Sequence, residues 1–180
     1  MLNGETVIAI IPARGGSKRC PGKNLRLYRG KPLIQWAAMA AQTSEYVDEY
    51  CVSSDDGTII ELARSLKIHA LRRPAYLATD EAMNEAVLVH YAYMHEMPDW
   101  FVLLQPTSPL RTAADIDACL RLAMDGNGCV SVRPDGARNG AVYVVRAKYL
   151  LATLRFDDSI TYTMPDERSL DIDFPEDFQK

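Results

Sequence analysis

Val7-Ile8-Ala9-Ile10-Ile11-Pro12-Ala13-Arg14-Gly15-Gly16-Ser17-Lys18-Arg19-Cys20-Pro21-Gly22-Lys23-Asn24 joins an unbroken apolar run to a loop rich in glycine and cations. A run with no polar interruption reads as a strand covered on both faces, as strands of parallel sheets are. The loop then falls at that strand's carboxyl end, where open α/β sheets bind their ligands. Gly15, Gly16 and Gly22 let backbone amides converge. Arg14, Lys18, Arg19 and Lys23 supply fixed charge, Arg gripping two oxygens at once and Lys acting as a point charge. Such a loop suits a polyphosphate; the plain alternative is a solvated basic turn. It is not a Walker A loop, because Gly16 and Gly22 enclose five residues and Lys23 precedes Asn24. No Gly-x-Gly-x-x-Gly run is present, so the dinucleotide fingerprint is absent.

Outward from this stretch, strand-like and helical patterns alternate. Strands are expected at Val7 to Pro12, Tyr50 to Ser53, Ile68 to Leu71 and Trp100 to Leu104, with helices at Leu33 to Thr43, Thr58 to Leu66, Glu81 to Met94 and Ala113 to Met124. Further strands follow at Cys129 to Val132 and Ala141 to Val145. The alternation predicts an α/β fold on a parallel sheet. Asp55 or Asp56 suits the cap of the second helix and Thr112 that of the fourth, with Gly126 and Gly128 as terminators. Asp55 and Asp56 also suit a metal contact, and they stay outside the expected site. Trp36, Met39 and Met124 fall on apolar helical faces and are expected in the core.

At 180 residues and 48% hydrophobic content the chain is expected to form one domain, residues 1–180, with a core of ordinary size. A net charge of −4, from 20 basic and 24 acidic residues, gives no overall pull toward nucleic acid or anionic lipid. Cys20, Cys51, Cys119 and Cys129 make no paired framework or Cys-x-x-Cys spacing, which suits a reducing cytoplasm. Cys20 stands in the loop beside cations of the kind that lower a thiol's pKa. Met1 to Glu5 has no basic stretch leading a signal-length apolar run, and no segment reaches the length of a membrane span. A soluble, unexported cytoplasmic protein with neither nucleic-acid nor membrane partners is expected. His69, His90 and His95 are too scattered for a ligand set.

Two more constellations follow strands. In Leu103-Leu104-Gln105-Pro106-Thr107-Ser108-Pro109-Leu110-Arg111 the prolines fix an extended turn that presents Gln105, Thr107, Ser108 and Arg111. In Ser169-Leu170-Asp171-Ile172-Asp173, extended backbone sends both carboxylates to one side and Leu170 and Ile172 to the other. Paired hard oxygens near a phosphate loop suggest Mg²⁺; a solvated face or a helix cap gives the same pattern.

With these segments together, the chain resembles the acylneuraminate cytidylyltransferases, the CMP-sialic acid synthetases, and their relatives acting on pseudaminic and legionaminic acids. The family's Ala-Arg-x-x-Ser-Lys followed by Lys-Asn falls on Ala13, Arg14, Ser17, Lys18, Lys23 and Asn24, with Gly15 inside it. Its Leu-Gln-Pro-Thr-Ser-Pro-Leu-Arg is intact from Leu104 to Arg111, its Arg-Asn-Gly-Ala-Ile-Tyr appears from Arg138 to Tyr143, and its Ser-Ile-Asp-Ile-Asp from Ser169 to Asp173. The resemblance implies a Rossmann-like nucleotidyltransferase (GT-A-like) three-layer sandwich with a mostly parallel central sheet. It implies that the first loop binds CTP and that Gln105 contacts nucleotide and sugar. Arg111, Arg138, Asn139 and Tyr143 would serve the acidic sugar, Tyr143 being equally readable as a packed aromatic. Asp171 and Asp173 would hold Mg²⁺, and with Arg14 and Lys23 carry catalysis.

The chain departs from the family in two places. Only Arg133 to Ala137 stand where the family carries a long insertion that forms its dimer and reaches the partner's sugar site. A monomer or an atypical homodimer is therefore expected. After Leu77-Ala78-Thr79-Asp80, Met83 and Asn84 replace small hydroxyl residues. Alternatives to a nonulosonic acid as acceptor are another small acidic or phosphorylated compound, or a nucleotide-binding module without catalysis.

Overall fold

The computed structural model describes residues 1–158 and 160–180. It runs β1 (Val7–Pro12), a small hairpin of β2 (Leu27–Tyr28) and β3 (Lys31–Pro32), α1 (Leu33–Gln42), β4 (Glu49–Ser54), α2 (Gly57–Ser65), β5 (His69–Arg72) and α3 (Asn84–Met94). The second half runs β6 (Trp100–Leu103), α4 (Ala113–Ala123), β7 (Gly128–Val132), β8 (Arg138–Arg146), α5 (Ala147–Thr153) and β9 (Thr161–Thr163).

Seven strands form one sheet in the order β5-β4-β1-β6-β8-β7-β9. The apolar runs are continuous because alternate residues serve opposite faces. Val7, Ala9 and Ile11 of β1 join Trp100 and Val102 of β6 against α1, α2 and α4, through Ile34, Ile59 and Ile116. Ile8 and Ile10 join Phe101 and Leu103 on the other face, against Val87, Leu88 and Tyr91 of α3 and Leu150 of α5. The result is the expected three-layer arrangement. A third cluster, Tyr28, Leu33 and Ile172, pins the carboxyl-terminal segment beside the hairpin and α1. Full burial of Ile172 contributes about 2 kcal/mol to that attachment.

The sheet is mostly parallel, with one reversal: β8 runs antiparallel to both β6 and β7. The link from Val132 to Arg138 is too short for the crossover that a parallel return needs. Helix α3 starts at Asn84 rather than Glu81, and α5, β9 and the hairpin were not legible in the periodicity. Asp56 caps α2 by accepting from the Thr58 and Ile59 amides, and Thr112 forms a capping box with Asp115 at the start of α4. Met39 and Met124 are 37% and 38% exposed, contrary to the core expected for them. Alanines on α1 carry the packed face, leaving Met39 outside it.

Candidate active site

The carboxyl ends of β1 and β6, the residue after β5 and the carboxyl-terminal segment enclose a cavity of about 720 Å³. The loop after β1 is shaped by backbone contacts. The Ala13 amide donates to the Ser53 carbonyl at 2.9 Å. The Gly15 amide donates to Asp55 Oδ1 at 3.1 Å. A Cβ on Gly15 would stand 2.5 Å from Asp56 Oδ2, so only glycine lets the loop lie against the cap of α2. Buried Asn24 ties the loop's ends together, its Nδ2 donating to the Arg14 carbonyl at 2.9 Å. Ala13 and Gly15 thus shape the loop without lining the cavity, whereas Arg14, Ser17, Lys18, Lys23 and Asn24 line it.

The loop's cations are held by two carboxylates. Asp80 bridges Arg14 Nη2 at 2.7 Å and Lys18 Nζ at 2.5 Å. Hydrogen bonds from Lys18 and Arg14 hold the Asp80 carboxyl below its ordinary value, and Asp80 in turn raises Lys18. Asp173 bridges Lys23 Nζ at 2.9 Å and Arg19 Nη1 at 3.1 Å. Asp171 differs: its Oδ1 is buried with no hydrogen-bond partner among the described residues, and burial raises its pKa against a hydrogen bond from Thr107. The Ile172 amide donates to the Thr107 carbonyl at 2.8 Å, which brings the Asp-x-Asp segment to the turn after β6. As the alternation implied, Asp171 and Asp173 face the cavity while Ile172 is buried behind them.

Gln105 lines the cavity; the other residues assigned to the acidic sugar do not. Arg111 is fully enclosed, donating Nη1 to the Ala141 carbonyl at 2.8 Å and Nη2 to the Gln105 carbonyl. Burial lowers its pKa to about 9, against the opposing pull of Asp115 and Asp171. Asn139 is buried in a network: its Oδ1 accepts from Ser131 Oγ at 2.6 Å and its Nδ2 donates to Ser169 Oγ at 3.1 Å. Arg138 is paired with Asp158 on the surface, and Tyr143 packs against Phe156 with ring centroids 5.1 Å apart. Arg111 and Asn139 therefore support the site from behind, whereas Arg138 faces solvent and Tyr143 belongs to the packing on the α3 and α5 side of the sheet. Cys20 is enclosed at the loop, its Sγ accepting from Arg26 Nη1 at 3.0 Å.

Sequence reasoning missed Arg73, which is 5% exposed and lines the cavity. Burial lowers its pKa, and its Nε has no partner among the described residues. The available signal was its position in Leu71-Arg72-Arg73-Pro74, at the carboxyl end of a strand. Asp115 was also missed. It is 0% exposed and accepts from Arg168 Nε at 3.0 Å and Arg168 Nη2 at 2.8 Å, anchoring the segment that leads to Asp171.

The chain is similar in sequence and fold to known proteins. The chain is 31% identical over 211 residues to N-acylneuraminate cytidylyltransferase of Escherichia coli O18:K1:H7 (strain RS218 / NMEC), covering 96% of this chain and 50% of that protein. That alignment is longer than the 180 residues of the chain, so the relative carries residues with no counterpart here. The chain is 37% identical to CMP-N,N'-diacetyllegionaminic acid synthase of Legionella pneumophila subsp. pneumophila (strain Philadelphia 1 / ATCC 33152 / DSM 7513), over 71% of this chain and 58% of that protein. It spans about half the length of the curated relatives it matches. The fold is shared with CMP:2-keto-3-deoxy-manno-octonic acid synthetase complexed with CTP, at a TM-score of 0.80 and 18% identity, covering 97% of this chain and 95% of that one. The sequence pattern of the family described as cytidylyltransferase matches residues 8–128, and the chain belongs to that family.

Proposed function

We propose that this chain, as a single domain, is a CTP-dependent nucleotidyltransferase that activates a sialic-acid-like nonulosonic acid to its CMP-sugar. The anomeric hydroxyl attacks the α-phosphorus of CTP, and pyrophosphate leaves. The observation that carries the reading is the convergence of four loop cations, two carboxylates and the Gln105 carboxamide on one cavity.

The protein's task is to position and neutralise. Arg14, Lys18 and Lys23 offset charge on the phosphate oxygens, and the loop shaped by Ala13, Gly15 and Asn24 sets where those charges stand. Arg73 offers a buried, unpartnered Nε at the β5 side, where a nucleotide acceptor atom would satisfy it. Gln105 and Thr107 stand on the β6 side, toward the attacking sugar.

The donors fit Mg²⁺. The partnerless buried Oδ1 of Asp171 and the cavity-facing carboxylate of Asp173 are hard oxygens, and Mg²⁺ is usually held by one or two carboxylates plus phosphate oxygens and water. Bound there, the ion supplies neutralisation of developing phosphate charge. Lys23 and Arg19 hold Asp173, and in the proposed complex each exchanges it for a phosphate.

The same reading places the protein in the cytoplasm, as a monomer or a homodimer without the family's projecting arm. The test is pyrophosphate release with CTP, Mg²⁺ and a panel of nine-carbon keto acids, with light scattering for mass. Release with a nonulosonic acid is expected, together with selective calorimetric binding of CTP over ATP and GTP. Equal affinity for a purine triphosphate, or release only with another small acid, would overturn the assignment.

A further inference from the structure

Gln105 reaches the cavity in an unusual way. Its carboxamide makes no hydrogen bond to any described residue, and its side chain lines the cavity, which leaves its amide donors for a ligand. A free carboxamide on a flexible side chain is a poor reader of position unless something else holds it. Two contacts hold this one. At Gly140, φ is +73°, and a Cβ there would stand 2.6 Å from Gln105 Oε1 and 3.9 Å from Ser108 Oγ. The absent side chain is the seat into which the carboxamide fits. Below it, Arg111 is fully enclosed and grips the carbonyl of Gln105 with one nitrogen and that of Ala141 with another. The guanidinium fork thereby fixes the distance between the turn after β6 and the strand that carries Gly140.

We infer that Gly140 and Arg111 are positioning residues that hold the Gln105 carboxamide to receive polar groups of the acceptor. The inference rests on the function proposed above. The acceptor rather than the nucleotide is named because of where Gln105 stands. The cation loop, Arg73 and Asp80 occupy the side of the cavity toward β4 and β5, whereas Gln105 extends from β6, whose other neighbour is β8. A carboxamide suits a polyhydroxylated acid because it offers two donors and an acceptor in one plane.

Two measurements decide it. The first is ¹⁵N relaxation of the Gln105 side-chain amide, assigned by its disappearance in Gln105→Ala. In the wild type it should be as ordered as the backbone of β6, and in Gly140→Ala its resonances should move or broaden. An amide as mobile as that of exposed Gln179 overturns the inference, whatever reaction the protein performs. The second is a kinetic cycle with an acid that the wild type turns over. Gly140→Ala should lower kcat/KM for the acid by on the order of 100-fold, mainly through KM, with CTP affinity unchanged. In a Gln105→Ala background it should add nothing further. An equal loss in both backgrounds would mean that Gly140 serves the fold alone, and overturns the inference. Arg111→Lys, able to reach only one of the two carbonyls, carries the same expectations if Gly140→Ala does not fold. If the wild type turns over no nonulosonic acid, the proposed function falls and the relaxation measurement still decides the positioning.

Discussion

The loop after β1 and the turn after β6 border the same cavity but are held in opposite ways. The loop's cations sit in ion pairs that water reaches: Lys18 is 82% exposed and its partner Asp80 36%. The turn is held by buried groups bonded to backbone, with Arg111 and Ser108 at 4% and 0% exposure. Exposed pairs are weak and exchange partners readily, whereas buried charges bonded to carbonyls do not. Under the proposed function, affinity for an anionic ligand belongs to the loop, and accuracy of placement to the turn.

Asp171 lies between them and gives the largest expected effect. Thr107 and the burial of Ile172 place it, yet its Oδ1 is unpartnered. Under the proposed function, Asp171→Asn should reduce turnover by about 100-fold or more while changing CTP affinity far less, because the role proposed for it is in charge that develops during transfer. Steady-state rates at saturating Mg²⁺ beside calorimetric CTP titration test this. Near wild-type turnover would show that the residue only shapes the site.

The next effect is on stability and tests the rigid side. Burial alone would raise the Asp115 carboxyl, but hydrogen bonds from Arg168 and from Thr112 outweigh it and hold its pKa below 3.8. A lowered folded-state value means stability that is present above the unfolded pKa and lost as pH falls through the folded one. Asp115→Asn should cost about 2 kcal/mol near neutral pH, since it weakens the charge-assisted hydrogen bonds that the buried carboxylate accepts from Arg168 and Thr112, while Arg168 itself is 35% exposed and stays solvated. It should also flatten the loss of stability below pH 3.8, measured by urea unfolding across pH. A variant as stable as the wild type would mean that the Asp171 segment is held by Ile172 alone.

The same contrast decides what the sequence disclosed. Charges on a glycine-rich loop after a buried strand can be read directly, since local order puts Arg14, Lys18 and Lys23 at one strand end. The alternation in Leu170-Asp171-Ile172-Asp173 likewise displays its buried and open sides. Family motifs mark residues without saying which way they face. Arg111, Asn139 and Tyr143 belong to such motifs, yet Arg111 and Asn139 are buried against backbone and neighbouring side chains, and Tyr143 packs on Phe156. Arg73 and Asp80 reach the cavity only through β5 pairing beside β4, a long-range register that no local pattern carries. The reversal of β8 was equally hidden in periodicity, which does not encode strand direction.

Arg73 sharpens the comparison because it is a cation of the cavity held in the manner of the rigid side, buried but with its Nε unpartnered. Arg73→Met should weaken CTP binding by about 2 kcal/mol, roughly 30-fold, the usual worth of a hydrogen bond to a charged group. It should leave the unfolding midpoint unchanged or raise it, because a buried charge offset only by the field of Asp55, with its Nε unpartnered, is removed. Calorimetry and thermal unfolding separate the two effects. Unchanged affinity with lowered stability would make Arg73 a structural residue.

The smallest expected effect tests the exchangeable side itself. Asp80 occupies Arg14 and Lys18 at 2.7 and 2.5 Å, so a polyphosphate bound as proposed would have to displace a carboxylate before reaching either cation. Asp80→Asn removes that competitor and should tighten CTP binding slightly. The gain should be greatest at low ionic strength and fade as salt approaches 1 M, because exposed charges are screened over about 3 Å there against about 10 Å at 0.1 M. Calorimetric titration of CTP at several salt concentrations reads both the sign and the trend. Weaker binding at every salt concentration would reverse the conclusion: Asp80 would then be organising the segment from Ala75 to Asn84 for the bound nucleotide, and the loop's ion pairs would be part of the site's framework rather than a charge held in reserve for phosphate.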